Sequence, residues 1–304
     1  MTSDAQIFTP QGPYTLISMN KMPGIPGLFA RLITLSMVRP SRLKADAVME
    51  NTGLVFRNFK INPEKLKKFK QVCGYGTGPD APEVPAPFIQ TFFIGVISRF
   101  IGSAHFPINP MGLIQVGQSF EQKRPVTVDT PLDLHCRLRD MTQTERGIHT
   151  RFLMEAKTGE QLVWEGVATY FTRAKNPPPR EKKDRTGEVP LPVRETISVP
   201  ENTGRRYAAV SGDYNPHHLY GWTARVIGFK SAIAHGMWSL ARSCASLEIQ
   251  SGYPDTFKVE GALKLPIFLP GTITLGVDTG DDRTEFEIRD HIKGVPHLKG
   301  SFRF

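Results

Sequence analysis

The sequence predicts an α+β protein in which one unit, a single helix enclosed by a curved sheet, occurs twice. Three observations carry that reading: a charged, proline-rich break near the middle of the chain, strand candidates in matching order on each side of it, and one long apolar helix candidate ahead of each set.

Residues 1–50 read as an N-terminal extension. The start, MTSDAQIFTPQGPY, lacks the basic and apolar regions of a signal peptide. The longest apolar stretch, Gly24 to Val38, contains Arg31 and is too short to span a bilayer. It reads as an amphipathic helix docked on the fold in preference to one lying on a membrane. Residues 51–172 form the first unit, with a helix candidate from Pro87 to Phe106, a strand candidate from Lys123 to Leu138, and further strands on either side of the turn Lys157-Thr158-Gly159. Residues 173–195 are the linker, marked by the triplet Pro177-Pro178-Pro179 and many charges. Residues 196–304 form the second unit. Its helix candidate, His235 to Tyr253, places Met237, Leu240, Ala241 and Cys244 at helical spacing ahead of the strand candidate Lys264 to Val277. Aligning Pro125 with Pro266 brings Leu132 onto Ile273 and Leu134 onto Leu275, and near the ends Gly166 matches Gly300. The likeness is weak at each residue but keeps its order, which points to an internal duplication.

The net charge of +9, from 38 Lys and Arg against 29 Asp and Glu, asks for an anionic partner or for nothing beyond solvation. The basic runs Pro63–Gln71 and Arg180–Arg185 carry few interleaved aromatics, so nucleic acid is not expected. They read either as ordinary solvated faces or as matching an anionic ligand, such as a nucleotide-bearing thioester or an acidic carrier protein, and composition alone does not choose between the two. Cys73, Cys136 and Cys244 lie far apart without a CxxC pair, which argues against a disulfide framework or a zinc knuckle and suits a reducing, cytoplasmic setting.

The chemistry concentrates in YAAVSGDYNPHHLY and AIAHGMW, residues 207–220 and 232–238. Gly212, Asp213, Asn215 and Pro216 are turn residues, and alone they would cap a helix or close a loop. Of the adjacent pair His217 and His218, only one can share a face with Asp213, and the five-residue spacing favours His218. His235 leads into Gly236 at a helix start, where free amides suit a developing oxyanion. An acid/base pair followed by an amide donor is what water addition to a conjugated thioester needs.

These two stretches resemble the signature of the MaoC-like, R-specific enoyl-thioester hydratases and dehydratases. The likeness runs through Ser211, Gly212, Asp213, Asn215, Pro216, His218, His235, Gly236 and Met237, and LKLPIFLPGTITL resembles a further family strand. The chain is most similar to the two-hotdog 3-hydroxyacyl-thioester dehydratases, with residues 51–172 resembling the degenerate N-terminal repeat. The resemblance implies a double hotdog fold and reversible hydration of trans-2-enoyl thioesters to (R)-3-hydroxyacyl thioesters. It implies Asp213 and His218 as the catalytic pair, with Asn215, Gly236, Ser211 and His235 around the substrate and oxyanion. The substrate would be an acyl-CoA or acyl-carrier-protein thioester, with no cofactor, no integral membrane segment, and a homodimer left open. The first repeat has neither SGDxNP nor HGM, so it would be a structural partner whose missing site leaves room for the acyl chain, and His105 and His135 in it have no matching carboxylate. Two departures stand out: His217 occupies a position that is usually aliphatic, and Tyr220 one that is often acidic or Asn. A zinc site from His217, His218 and His235 is disfavoured, because adjacent histidines point different ways on a helix. A catalytically silent thioester-binding hotdog protein and a hotdog thioesterase are the alternatives; the intact Asp213, Asn215 and His218 favour the hydratase.

Overall fold

In the computed structural model, residues 5–76, 81–110, 112–179, 189–250 and 254–304 are described. The N-terminal extension supplies β1 (Gln6–Phe8), β2 (Pro10–Met19) and α1 (Ile25–Val38). The first repeat follows as β3 (Met49–Phe59), α2 (Pro63–Cys73), α3 (Ala86–Ile101), β4 (Ile114–Gln122), β5 (Leu132–Thr144), β6 (Gly147–Thr158) and β7 (Gln161–Arg173). The second contains β8 (Val193–Val199), α4 (Thr203–Ser211), α5 (Pro216–Leu219), α6 (Gly221–Val226), α7 (Gly236–Gln250), β9 (Phe257–Leu263), β10 (Gly271–Thr279), β11 (Arg283–Asp290) and β12 (Pro296–Arg303). Residues 180–188 of the linker lie outside the described residues.

The duplication appears directly in the sheet, whose order is β2-β3-β5-β6-β7-β4-β9-β12-β11-β10-β8. Read outward from its centre, β4-β7-β6-β5-β3 on one side repeats as β9-β12-β11-β10-β8 on the other. The two halves join where β4 and β9 pair antiparallel, from Gly117 opposite Ala262 to Gln122 opposite Phe257. The glycines matched in the sequence have one packing reason. A Cβ at Gly166 would lie 2.8 Å from the Ser119 carbonyl on β4, and a Cβ at Gly300 would strike the Glu260 carbonyl on β9. Both mark the place where the closing strand crowds its neighbour.

Each central helix is apolar because it is enclosed. In α3 the residues from Ala86 to Phe93 are all buried, as are Val96, Ile97, Phe100 and Ile101. The first repeat is packed around its own helix by Phe106, Phe120, Phe152 and Trp164, all buried. The helix ends at Ile101, short of the expected Phe106, because Gly102 and Ser103 break the turn and two arginines take over its terminal carbonyls. Those arginines, Arg31 and Arg39, come from and just after α1, so the apolar N-terminal segment does dock on the fold. The basic run Pro63–Gln71 forms the amphipathic helix α2. The Asn62 side chain caps it at Lys65 N, Leu66, Phe69, Val72 and Cys73 are buried, and Gly74 closes it at φ 79°. His105 does meet a carboxylate: its Nδ1 lies 2.5 Å from Glu50 Oε2, in an exposed pair that removes it from any catalytic role.

Candidate active site

The site forms where four short pieces of the second repeat converge. Helix α4 ends at Gly212, which adopts φ 82° and turns the chain so that Asp213 leaves the helix pointing inward. Pro216 then starts α5, which carries His217 and His218. Gly204 on α4 lets the two helices touch, since a Cβ there would strike the His218 carbonyl. Gly236 opens α7 against β9, and a Cβ there would strike Leu263. Its amide, in the first turn, has no acceptor among the described residues.

The carbonyl partners assign the proton positions, because a carbonyl oxygen can only accept. His218 Nδ1 lies 2.9 Å from Ile233 O, so it carries the hydrogen and the lone pair sits on Nε2. That nitrogen is 4.0 Å from Asp213 Oδ2. His235 Nε2 lies 2.9 Å from the Asp213 backbone carbonyl, so it too is a donor. The His235 ring stacks on His218 with centroids 3.6 Å apart and planes at 22°. Asn215 holds the other carboxylate oxygen, its Nδ2 donating to Asp213 Oδ1 at 2.6 Å and its backbone amide reaching the same atom at 3.2 Å. Ser211 Oγ accepts from the Asp213 amide at 3.2 Å.

Electrostatics follows from this packing. Burial, reinforced by His235, pushes His218 down to about 3, so it is neutral at physiological pH. His217 goes down to about 4 for the same first reason, and burial also lowers His235. Burial acts to raise the Asp213 carboxyl, but His235, His218 and the Asn215 amide outweigh it and keep the group below its ordinary value. The resting site is a carboxylate facing a neutral imidazole lone pair.

Every residue expected from the sequence lies in this cluster, with His218 buried and His217 only partly so. Sequence reasoning missed three contributors. The Tyr207 ring packs 4.9 Å from His235, Ile233 orients His218 through its carbonyl, and Gln115 of the first repeat donates to Met237 Sδ at 3.5 Å beside Gly236. The aromatic at 207 was visible as part of the motif; the other two act through backbone and tertiary contact and left no local signal. Asp213, His218 and His235 could each offer an atom to a metal, all within 4.8 Å of one another. A metal would require His235 to give up its bond to the Asp213 carbonyl, and the near-parallel rings aim their nitrogens side by side, not at one point. The arrangement suits proton transfer instead.

The MaoC-like domain model matches residues 179–293, the part that contains Ser211, Asp213, Asn215, His217, His218, His235 and Gly236. The chain carries a MaoC-like domain over those residues. It is 28% identical over 262 residues to 3-hydroxyacyl-thioester dehydratase X of Mycobacterium tuberculosis, covering 84% of this chain and 90% of that relative. The crystal structure of HtdX from the same organism superposes with a TM-score of 0.71 at 25% identity, covering 83% of this chain and 99% of that one. A MaoC-like dehydratase from Phytophthora capsici has the same fold, with a TM-score of 0.63 at 18% identity over 83% of this chain and 94% of its own. The MaoC-like architecture thus extends to both repeats, and the fold is the double hotdog expected from the sequence. Among the described residues no helix is long and apolar enough to cross a membrane.

Proposed function

We propose that the protein is a hydro-lyase that interconverts trans-2-enoyl thioesters and (R)-3-hydroxyacyl thioesters, with Asp213 and His218 as the reacting pair. The observation that carries the reading is the 4.0 Å gap between His218 Nε2 and Asp213 Oδ2, with both atoms free to accept a proton. That distance is too long for a direct hydrogen bond, yet it lets both atoms reach one water. Held beside C3 of the enoyl thioester, that water loses a proton to the pair as its oxygen bonds to C3. The pair returns a proton to C2 on the same face, so hydration is syn and the pair ends in its starting state. Negative charge that develops on the thioester oxygen meets the unpaired Gly236 amide. Asn215 keeps one Asp213 oxygen occupied so that the other faces His218. The two groups titrate as a unit, so base and acid are properties of the pair.

The first repeat, roughly residues 51–172, acts as the structural partner of a catalytic unit spanning 196–304. The substrate carrier is CoA or an acyl carrier protein, whose anionic groups match the net charge of +9. The setting is the reducing cytoplasm, and a homodimer is compatible with this scheme.

Loss of the enoyl-thioester absorbance of crotonyl-CoA tests the assignment. Asp213→Asn and His218→Asn should each lose about 10²- to 10⁴-fold in kcat while remaining folded. His217→Ala should keep most of its activity. An inactive His217→Ala beside an active His218→Asn would reverse the assignment.

A further inference from the structure

The N-terminal extension walls one side of a half-open cavity of about 630 Å³ over the far end of α3, a volume within the usual range for small-molecule sites. The walls come from the end of β2 and the turn into α1, from Leu54 on β3, and from the last turn of α3 and the loop after it. None of its lining residues lies beyond His105, so the cavity is separate from the Asp213 cluster.

Its lining has two characters. Met19, Met22 and Leu54 supply an apolar floor, with Met22 laid across Gly95 so closely that a Cβ there would stand 2.9 Å from its sulfur. Thioether side chains fit irregular apolar ligands well. Against this floor stand Lys21 and Arg99, both exposed, and neither is hydrogen-bonded or ion-paired among the described residues. A cation in the last turn of a helix ordinarily serves the helix carbonyls. Here that work is already done, since Arg31 reaches Gly102 O and Arg39 reaches Ile101 O and Ser103 O. The remaining basic group at the rim, His105, is occupied by Glu50. Two unpaired cations therefore face an apolar floor inside a concave site, which is the recognition pattern for an anionic head on an alkyl tail.

We propose that this cavity binds an amphiphilic anion, with a carboxylate or phosphate head on Arg99 and Lys21 and an alkyl chain on Met19, Met22 and Leu54. Binding of the fluorescent fatty acid cis-parinaric acid to the full chain tests this. Saturable binding is expected, displaced by dodecanoate and by dodecyl phosphate, whose relative strength distinguishes the two head groups. Inorganic phosphate and dodecanol, which carry the head or the tail alone, should displace it poorly. The Lys21→Ala/Arg99→Ala double variant should weaken parinarate at least ten-fold with crotonyl-CoA hydration unchanged, and Arg99→Lys should restore part of the loss. Asp213→Asn should bind parinarate as the unaltered protein does. Absent or variant-insensitive binding overturns the proposal, as does displacement by crotonyl-CoA, which would place the probe in the catalytic cleft. So does a rise in KM confined to long-chain enoyl-CoAs in the double variant, which would make the cavity the tail end of the substrate site.

Discussion

His235 is the residue whose role the proton positions redefine. A buried histidine beside the Asp213 carboxylate invites a reading as acid or base, yet its Nε2 hydrogen is committed to the Asp213 carbonyl and its Nδ1 is buried without a partner among the described residues. What it can do is position and tune. It holds the backbone of Asp213, and its ring lies 3.6 Å from that of His218, adding to the burial that keeps His218 neutral. His235→Gln preserves an amide donor for the carbonyl but removes the stacked ring. The His218 value then rises from about 3 toward its ordinary 6.5. The pair can take a proton from water only while it does not already hold one, so the acid limb of the kcat/KM profile moves to higher pH. We expect kcat near neutrality to fall about ten-fold with KM less affected, the pattern of a group that acts on the transition state. An acid limb that stays in place would show that His235 merely fills space.

At the scale of elements, the site depends on how closely α4 can lie against α5. Gly204 is the contact point, since any Cβ there meets the His218 carbonyl, which a rigid backbone cannot move aside. Gly204→Ala should cost about 3 kcal/mol or more and shift His218 away from Asp213, lowering both melting temperature and hydratase activity. Gly221→Ala, at the start of α6 with nothing within 4 Å of the added carbon, is the control and should leave both unchanged. Equal effects would disprove the packing argument. This contact also shows what was legible in the sequence. The Asp213–His218 spacing could be read because a short turn links them, and the repeat could be read because apolar alternation and glycine crowding recur in order. Gly204 and the Ile233 carbonyl could not be read, because their work depends on which segments meet after folding. The Pro87–Phe106 helix was placed correctly at its start, where Pro87 marks the first turn. Its end was misjudged, because the arginines that satisfy the terminal carbonyls lie more than 60 residues earlier.

For the whole molecule the decisive question is what holds two repeats as one body. The β4–β9 pairing joins the sheets, and on the helical side α7 is fastened to the first repeat. Trp238 Nε1 donates to Val72 O at 2.9 Å, and the Tyr75 hydroxyl donates to Glu248 Oε1 at 2.9 Å. Glu248 is 1% exposed, and burial pushes its carboxyl from 4.5 up to about 8, with the Tyr75 hydrogen bond opposing only in part. A carboxyl raised by folding contributes stability that is fully present below about 4.5 and is lost as pH rises through about 8, because the unfolded chain has already released that proton. The histidines act from the other side. His218 and His217, lowered by folding to about 3 and about 4, contribute stability present above 6.5 that is lost as pH falls toward those values. Stability should therefore peak in mildly acidic solution and decline in both directions. Glu248→Gln keeps an acceptor for Tyr75 without the ionisation, so it should flatten the alkaline decline and leave the acid one untouched. The displacement of Glu248 corresponds to at most about 5 kcal/mol, which makes the change visible as several degrees in melting temperature between pH 5 and 8. That window lies below the titration of the neighbouring thiols Cys73 and Cys244, both pushed up by burial, so they do not confuse the reading. Parallel melting profiles for the variant and the unaltered protein would mean that Glu248 stays ionised in the joint and that another group accounts for the alkaline decline.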